Sequence, residues 1–227
     1  GEDPARTGAS RVIAMILAAG KGERLRPLTE TVPKALVEVR GRSLLERHLD
    51  SLAAGGVDTV VINLGWLGGQ ILERVGSGER YGLRVIYSQE GDNILETGGG
   101  IQRALPMLGS EPFLVINADI FTDMPVPDIR LAAEDYAHLV LVPTPADKPA
   151  GDFALSGGRI RNEGDEMFTF SGVSMYRPEF FEGCEPGRFS VVPMLRKAAD
   201  GNQLSGSVYA GVWRDVGTPE RLAALNA

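Results

Sequence analysis

Cysteine and histidine are almost absent from this chain of 227 residues, which holds one cysteine, Cys184, and two histidines, His48 and His138. One thiol cannot close an intramolecular disulfide, which fits a reducing compartment. So few nitrogen and sulfur ligands leave a tetrahedral zinc site hard to build. Long apolar runs are missing too. None approaches the ~20 residues needed to cross a bilayer, so no membrane partner is expected. The first eleven residues are polar, lack the hydrophobic segment of a signal peptide, and read as a disordered leader. Positive charge is also scarce: 23 Lys and Arg against 30 Asp and Glu leave a net charge of -7. That balance argues against a nucleic-acid partner, because phosphate backbones call for a basic face.

What is present is an ordinary globular composition, 43% hydrophobic and 23% charged, sufficient to bury a core without crosslinks. Short apolar runs at residues 12–17, 59–64, 83–88 and 113–117 read as strands buried on both faces. Helical segments alternate with them. One runs from Ser43 to about Ala54, opened by a capping box of Ser43 and Glu46. Another covers residues 66–75, weakened by Gly68 and Gly69, and a third runs to Leu108 with Thr97 as its cap. The alternation predicts an α/β fold with a mixed, mostly parallel sheet between helices. Ligands in such sheets sit beyond the carboxyl ends of the strands, here near Ala18, Ser88 and Asn117.

After residue 143 the rhythm changes. Residues 152–155 and 159–161 form a predicted hairpin around Gly157 and Gly158. A strand at 167–176, a helix from Ser190 to Ala199 and strands at 203–209 and 212–216 follow. Thr218 caps a last helix with Pro219 in its first position. His48, among leucines of the first helix, reads as a packing or surface residue, and Trp66 and Trp213 as core anchors. No linker or repeat interrupts residues 12–227, which read as a single domain.

The scarce positive charge is concentrated at the end of the first strand. Leu17-Ala18-Ala19-Gly20-Lys21-Gly22-Glu23-Arg24-Leu25-Arg26 joins small residues, which allow close backbone approach, to three cations. Consecutive N–H groups in such a turn form an anion nest, and arginine grips phosphate oxygens bidentately. A solvated basic turn is the plainer alternative. The loop lacks the Gly-Lys-Ser/Thr ending of the P-loop and the spacing of the dinucleotide fingerprint. Lys34, held behind Pro33, is close enough along the chain to reach the same anion.

The run LAAGKGERLRPLT, followed by PKAL, closely resembles the signature of the sugar-1-phosphate nucleotidyltransferases. The similarity continues through LETGGG, NAD and FSGVSMY to WRDVGTPERL. Within that family the chain is most similar to the short N-acetylmuramate-1-phosphate uridylyltransferases, with short mannose-1-phosphate guanylyltransferases next. The resemblance implies a Rossmann-like, three-layer core of the GT-A kind in a cytoplasmic monomer or dimer. Residues 12–120 would bind the nucleotide and residues 121–227 the sugar. The reaction it implies joins a nucleoside triphosphate, UTP favoured, to a sugar-1-phosphate and releases pyrophosphate. A glycosyltransferase using a nucleotide sugar shares that core and is the rival from another class.

The same resemblance assigns residues. Mg²⁺ would be held by Asp119 and Asp215, oxygen ligands that suit its octahedral preference. Arg24 and Lys34 would be catalytic. Leu17, Ala19, Gly20, Lys21, Gly22, Arg24, Glu90, Gly98 and Gly99 would contact the nucleotide, and Glu90, which can accept from uracil or guanine, does not decide the base. Asn117, Gly151, Asp152, Ser171 and Gly172 would contact the sugar phosphate. Many relatives carry a Glu-Lys-Pro segment whose lysine holds the acceptor phosphate, whereas this chain has Arg161-Asn162-Glu163-Gly164-Asp165-Glu166. That phosphate is left to Lys34 and Mg²⁺. With the last helix closing the sequence, neither a left-handed β-helix nor a regulatory tail is expected.

Overall fold

In chain order the elements are β1 (Ala14–Leu17), β2 (Glu38–Val39), β3 (Arg42–Ser43), α1 (Leu44–Ala54), β4 (Thr59–Leu64), α2 (Gly68–Val75), β5 (Arg84–Gln89), α3 (Glu96–Leu108) and β6 (Phe113–Asn117). There follow β7 (Ile120–Thr122), β8 (Ala137–Pro143), β9 (Phe153–Ser156), β10 (Arg159–Arg161), β11 (Met167–Tyr176), α4 (Glu179–Glu182), α5 (Val192–Asp200), β12 (Leu204–Val208), β13 (Trp213–Asp215) and α6 (Pro219–Asn226). They come from a computed structural model that describes residues 12–227; the expected leader lies outside the described residues.

Nine strands form one sheet in the order β5-β4-β1-β6-β11-β8-β12-β10-β9. The β5-β4-β1-β6 half is parallel, as the alternation predicts. The other half is not. β11 runs antiparallel to both β6 and β8, and only β12 pairs β8 in parallel. The sheet is therefore mixed, and the expectation of mostly parallel pairing holds for its first half alone.

The period of two along each strand divides the core between the two faces. Ala14, Ile16, Val60, Ile62, Leu114 and Ile116 pack with Leu45, Leu49, Leu52 and Ile71 of α1 and α2. Their neighbours Met15, Val61, Phe113 and Val115 face the opposite way, onto Ile101 and Ala104 of α3, Phe181 of α4 and Leu195 of α5. Three layers result. Among the described residues no helix is long and apolar enough to cross a membrane.

Local chemistry sets the helix starts. The Ser43 hydroxyl accepts the Glu46 N–H at 3.1 Å and donates to the Glu46 carboxylate at 2.9 Å, so α1 begins where the Ser/Glu pair predicts. α3 begins two residues earlier than expected, at Glu96 with φ near +60°. Thr97 is thus not its cap, and its hydroxyl accepts the N–H of Val191 at 2.9 Å. Trp66 lies outside α2, is 36% exposed and donates from its ring N–H to Thr29 O, so it is no core anchor. Trp213 is buried and donates to Ser171 O.

His48 is buried beneath the end of β6, with Nε2 3.3 Å from Ala118 O. Burial pushes its imidazole down to about 4 from 6.5, only partly opposed by Ala118 O and the charge of Asp119. The folded protein keeps this ring neutral where the unfolded chain protonates it, so stability should fall as pH drops from 6.5 toward 4. His48→Gln should flatten that part of the profile, measured by urea unfolding at pH 7.5, 6 and 5. An unchanged slope would remove His48 as its source.

Candidate active site

A chain of hydrogen bonds ties together the carboxyl ends of β1, β4 and β5. The Ala18 N–H donates to Asn63 Oδ1 at 2.6 Å, and Asn63 Nδ2 donates to Glu90 Oε2 at 2.7 Å. The other oxygen of Glu90 accepts the N–H of Leu95 at 2.9 Å. Asn63 and Glu90 are both buried. Polar groups buried this deeply stay only when paired, and here each fixes the next.

The glycine loop then folds back on itself. Gly22 takes φ +62°, a conformation open to glycine, and its carbonyl accepts the Thr29 hydroxyl at 2.5 Å. A Cβ there would lie 2.8 Å from Thr29 and 3.2 Å from Lys34. The tightness of this turn aims Lys34, in a 3-10 turn behind Pro33, across the loop. Its ammonium reaches Asp119 Oδ2 at 2.9 Å, 85 residues away in sequence.

Asp119 and Asp215 come together through the short β7–β13 ladder. Ile120 pairs with Asp215, and the Val216 N–H donates to Asp119 O at 2.8 Å. Thr218 caps α6 by accepting the Arg221 N–H at 3.3 Å, as expected. From that first turn Arg221 reaches Asp215 at 2.5 Å and Asp147 at 3.3 Å. Arg24 arrives from the opposite side: a Cβ on Gly217 would lie 2.7 Å from its Nη2 and 3.1 Å from Asp215 Oδ2. Each aspartate thus has a cation against it.

Three hollows lie around the glycine loop, Lys34 and Asn117. One of about 240 Å³ is lined by Leu17, Ala18, Ala19, Gly20, Gly22, Lys34, Asn63, Glu90, Glu96, Thr97, Asn117 and Asp119. A second of about 600 Å³ shares Gly22 and Lys34 with it and adds Lys21, Arg24 and Arg188. A third of about 240 Å³ shares Leu17, Thr97 and Asn117 with the first, and its lining includes Asp152, Phe153, Phe170, Ser174 and Arg196.

A family model for nucleotidyl transferases matches residues 13–155, more than half of the chain. The chain belongs to the nucleotidyl transferase family. It is 46% identical to the N-acetylmuramate alpha-1-phosphate uridylyltransferase of Neisseria meningitidis serogroup B, over 94% of this chain and 96% of that protein. The protein of the same name from Caulobacter vibrioides is 36% identical, over 95% and 96%. The crystal structure of HddC from Yersinia pseudotuberculosis matches with a TM-score of 0.75, covering 94% of this chain and 97% of that one. At 20% identity it shows a shared fold alone.

The transferase gathers most, but not all, of the residues that its sequence singles out. Leu17, Ala19, Gly20, Lys21, Gly22, Arg24, Lys34, Glu90, Asn117, Asp119 and Asp152 line one hollow or another. Asp215, Gly98 and Gly99 line none of the three. A Cβ on Gly98 would meet Phe189 at 2.3 Å, and one on Gly99 would meet Gly187 O at 2.2 Å. Their lack of side chains lets residues 187–189 pack on α3, rather than opening space for a base. Gly151 packs against Met167 and Phe168 in the same manner. Ser171 is fully buried, its hydroxyl donating to Val140 O and accepting the Val173 N–H. Gly172, with φ +80°, completes the irregularity of β11 between Phe170 and Val173, and any Cβ on it would strike Asn117. Ser171 and Gly172 therefore shape the wall behind Asn117 without forming it.

Asn63 and Arg221 were not singled out by sequence reasoning. The signal for Asn63 was an amide inside the apolar run Thr-Val-Val-Ile-Asn-Leu. Asn63→Ala orphans the Ala18 N–H and one Glu90 oxygen. Each buried group left unpaired costs about 1–3 kcal/mol, so unfolding free energy should fall by roughly 3 kcal/mol in urea titrations. A loss under about 1 kcal/mol would show the network to be dispensable.

Proposed function

We propose that this transferase moves the uridylyl group of UTP onto the phosphate of N-acetylmuramate 1-phosphate, giving the UDP-sugar and pyrophosphate. The observation that carries the reading is the shared wall of Leu17, Thr97 and Asn117 between two hollows. One is rimmed by the glycine loop, Lys34 and Asp119; the other is a separate chamber suited to a sugar. Near full-length identity to two uridylyltransferases for that sugar phosphate favours it over mannose-1-phosphate and GTP. The cationic hollow of Lys21 and Arg24 favours a triphosphate over the nucleotide sugar that a glycosyltransferase consumes. Such water-soluble substrates are met in the cytoplasm, where we place the reaction.

A phosphate monoester is anionic near neutral pH and attacks without a general base. Its oxygen bonds to the α-phosphorus while the bond from that phosphorus to the bridging oxygen breaks, and pyrophosphate leaves in line. Catalysis then rests on orientation and charge. Lys34, on the border of the two nucleotide-side hollows, steadies the α-phosphate. Lys21 and Arg24 take the charge that grows on pyrophosphate. Arg221, beside Asp215, supplies a cation on the acceptor side that the missing Glu-Lys-Pro lysine would otherwise provide.

Mg²⁺ fits the donors. Among the described residues no group of three or more His, Cys, Asp or Glu is gathered to hold a metal. Two neighbouring carboxylates, Asp119 and Asp215, match an ion that completes its shell with substrate phosphates and water. Bound there it would neutralise phosphate charge, as is common in this divalent-metal-dependent family.

Asp119→Asn should stay folded and lose pyrophosphate release. Arg24→Ala should slow turnover by about 100-fold or more, the usual cost of removing a transition-state charge contact. A matrix of nucleoside triphosphates against sugar 1-phosphates should give pyrophosphate best from UTP with N-acetylmuramate 1-phosphate. Preference for GTP with mannose 1-phosphate, or full activity of Asp119→Asn, would overturn the assignment.

A further inference from the structure

One cation in the sugar-side hollow has no counter-ion. Arg196, on α5, is half-buried, and its guanidinium carbon lies 4.2 Å from the centroid of the buried Phe153 ring. Its Nη1 donates to Asp152 O and to Asn162 Oδ1, the latter at 3.1 Å. Asn162 in turn donates to Arg196 O at 2.9 Å and to Asp200 at 2.8 Å, fixing both ends of the arginine. Among the described residues, Nε and Nη2 carry no hydrogen bond and no carboxylate pairs with the side chain.

The surroundings make that free edge informative. Arg196 is the one basic residue in the lining of this hollow. The one acidic residue there, Asp152, is already satisfied. Lys148 reaches both of its oxygens at 3.0 and 3.1 Å, and the Phe170 N–H donates to it at 2.8 Å. Arg196 is absent from the lining of the two nucleotide-side hollows, so it is removed from the wall where phosphates meet. A planar guanidinium stacked on an aromatic ring, with one edge open into a chamber, is built to bind a carboxylate through two parallel bonds. Leaving such a charge half-desolvated is costly until an anion arrives.

We infer that Arg196 is the specificity residue of this transferase, binding a carboxylate borne by the sugar itself, apart from its 1-phosphate. This rests on the reading above and deepens it: N-acetylmuramate differs from N-acetylglucosamine by a lactyl ether that ends in a carboxylate. Phe153 and Asn162 are positioning residues, holding the guanidinium plane and leaving Nε and Nη2 unpaired.

The test compares N-acetylmuramate 1-phosphate, its lactyl methyl ester and N-acetylglucosamine 1-phosphate, each with UTP, by pyrophosphate release. The unaltered enzyme should prefer the free acid over both neutral substrates by about 100-fold in kcat/KM, mainly through KM. Arg196→Met should erase that preference, leave kcat/KM for the neutral substrates within about threefold, and be partly rescued by Arg196→Lys. Should the variant fail to fold, the methyl ester still decides the matter with the unaltered protein. Equal use of acid and ester, or an equal loss on all substrates in Arg196→Met, would overturn the inference while the uridylyltransferase reading stands. No pyrophosphate from UTP with any of the three would overturn that reading and the inference together.

Discussion

Two ion pairs, Lys34 with Asp119 and Arg221 with Asp215, stand next to each other across one short ladder, and the arrangement of the site is built around them. Asp119 lies in the turn between β6 and β7 and Asp215 ends β13, and the three-residue ladder of β7 and β13 locks them as neighbours. Lys34 and Arg221 stand one against each carboxylate. Such part-exposed pairs contribute little to stability on their own. What they do is hold each carboxylate in one place, Asp119 on the wall of the first hollow and Asp215 beside α6.

The glycine-loop side is held by hydrogen bonds that converge on one buried carboxylate. Asn63 joins the backbone of the glycine loop to Glu90, and Glu90 joins that pair to the loop before α3. The three parallel strands thereby end in one rigid rim. Around Asp152, rigidity comes from packing instead: Gly151 lies against Met167 and Phe168, and Gly172, in the irregularity of β11, against the Asn117 side chain. One rim is polar and one is steric, and Asn117 belongs to both.

Much of this was legible in the sequence, for reasons that differ by residue. The buried strands declared themselves as short apolar runs, and Ser43 with Glu46 marked a helix start that the backbone obeys. The glycine loop and the two aspartates stood out by motif. Their proximity did not, because Ile-Phe-Thr and Trp-Arg-Asp are too short to show a period, and pairing across some 90 residues leaves no local trace. The direction of β11 was hidden for a related reason: alternation reports burial, not polarity of the strand. The cluster of glycines at 98–100 was visible, but its cause was not, since Phe189 and Gly187 reach it from far along the chain. Ser171, chosen by resemblance, is a buried residue whose hydroxyl serves the backbone.

The place of β11 in the sheet also governs how the protein can be made. It lies between β6 and β8, so β6 gains its second neighbour only from residues 173–176. While a ribosome is still adding those residues, Phe113–Asn117 is an edge, with unpaired N–H and C=O groups along an apolar strand. Such an edge invites pairing with other nascent chains. The parallel half, although continuous in sequence, therefore has no finished sheet until the second half has emerged. Splitting this polypeptide between two genes would expose that seam in both products.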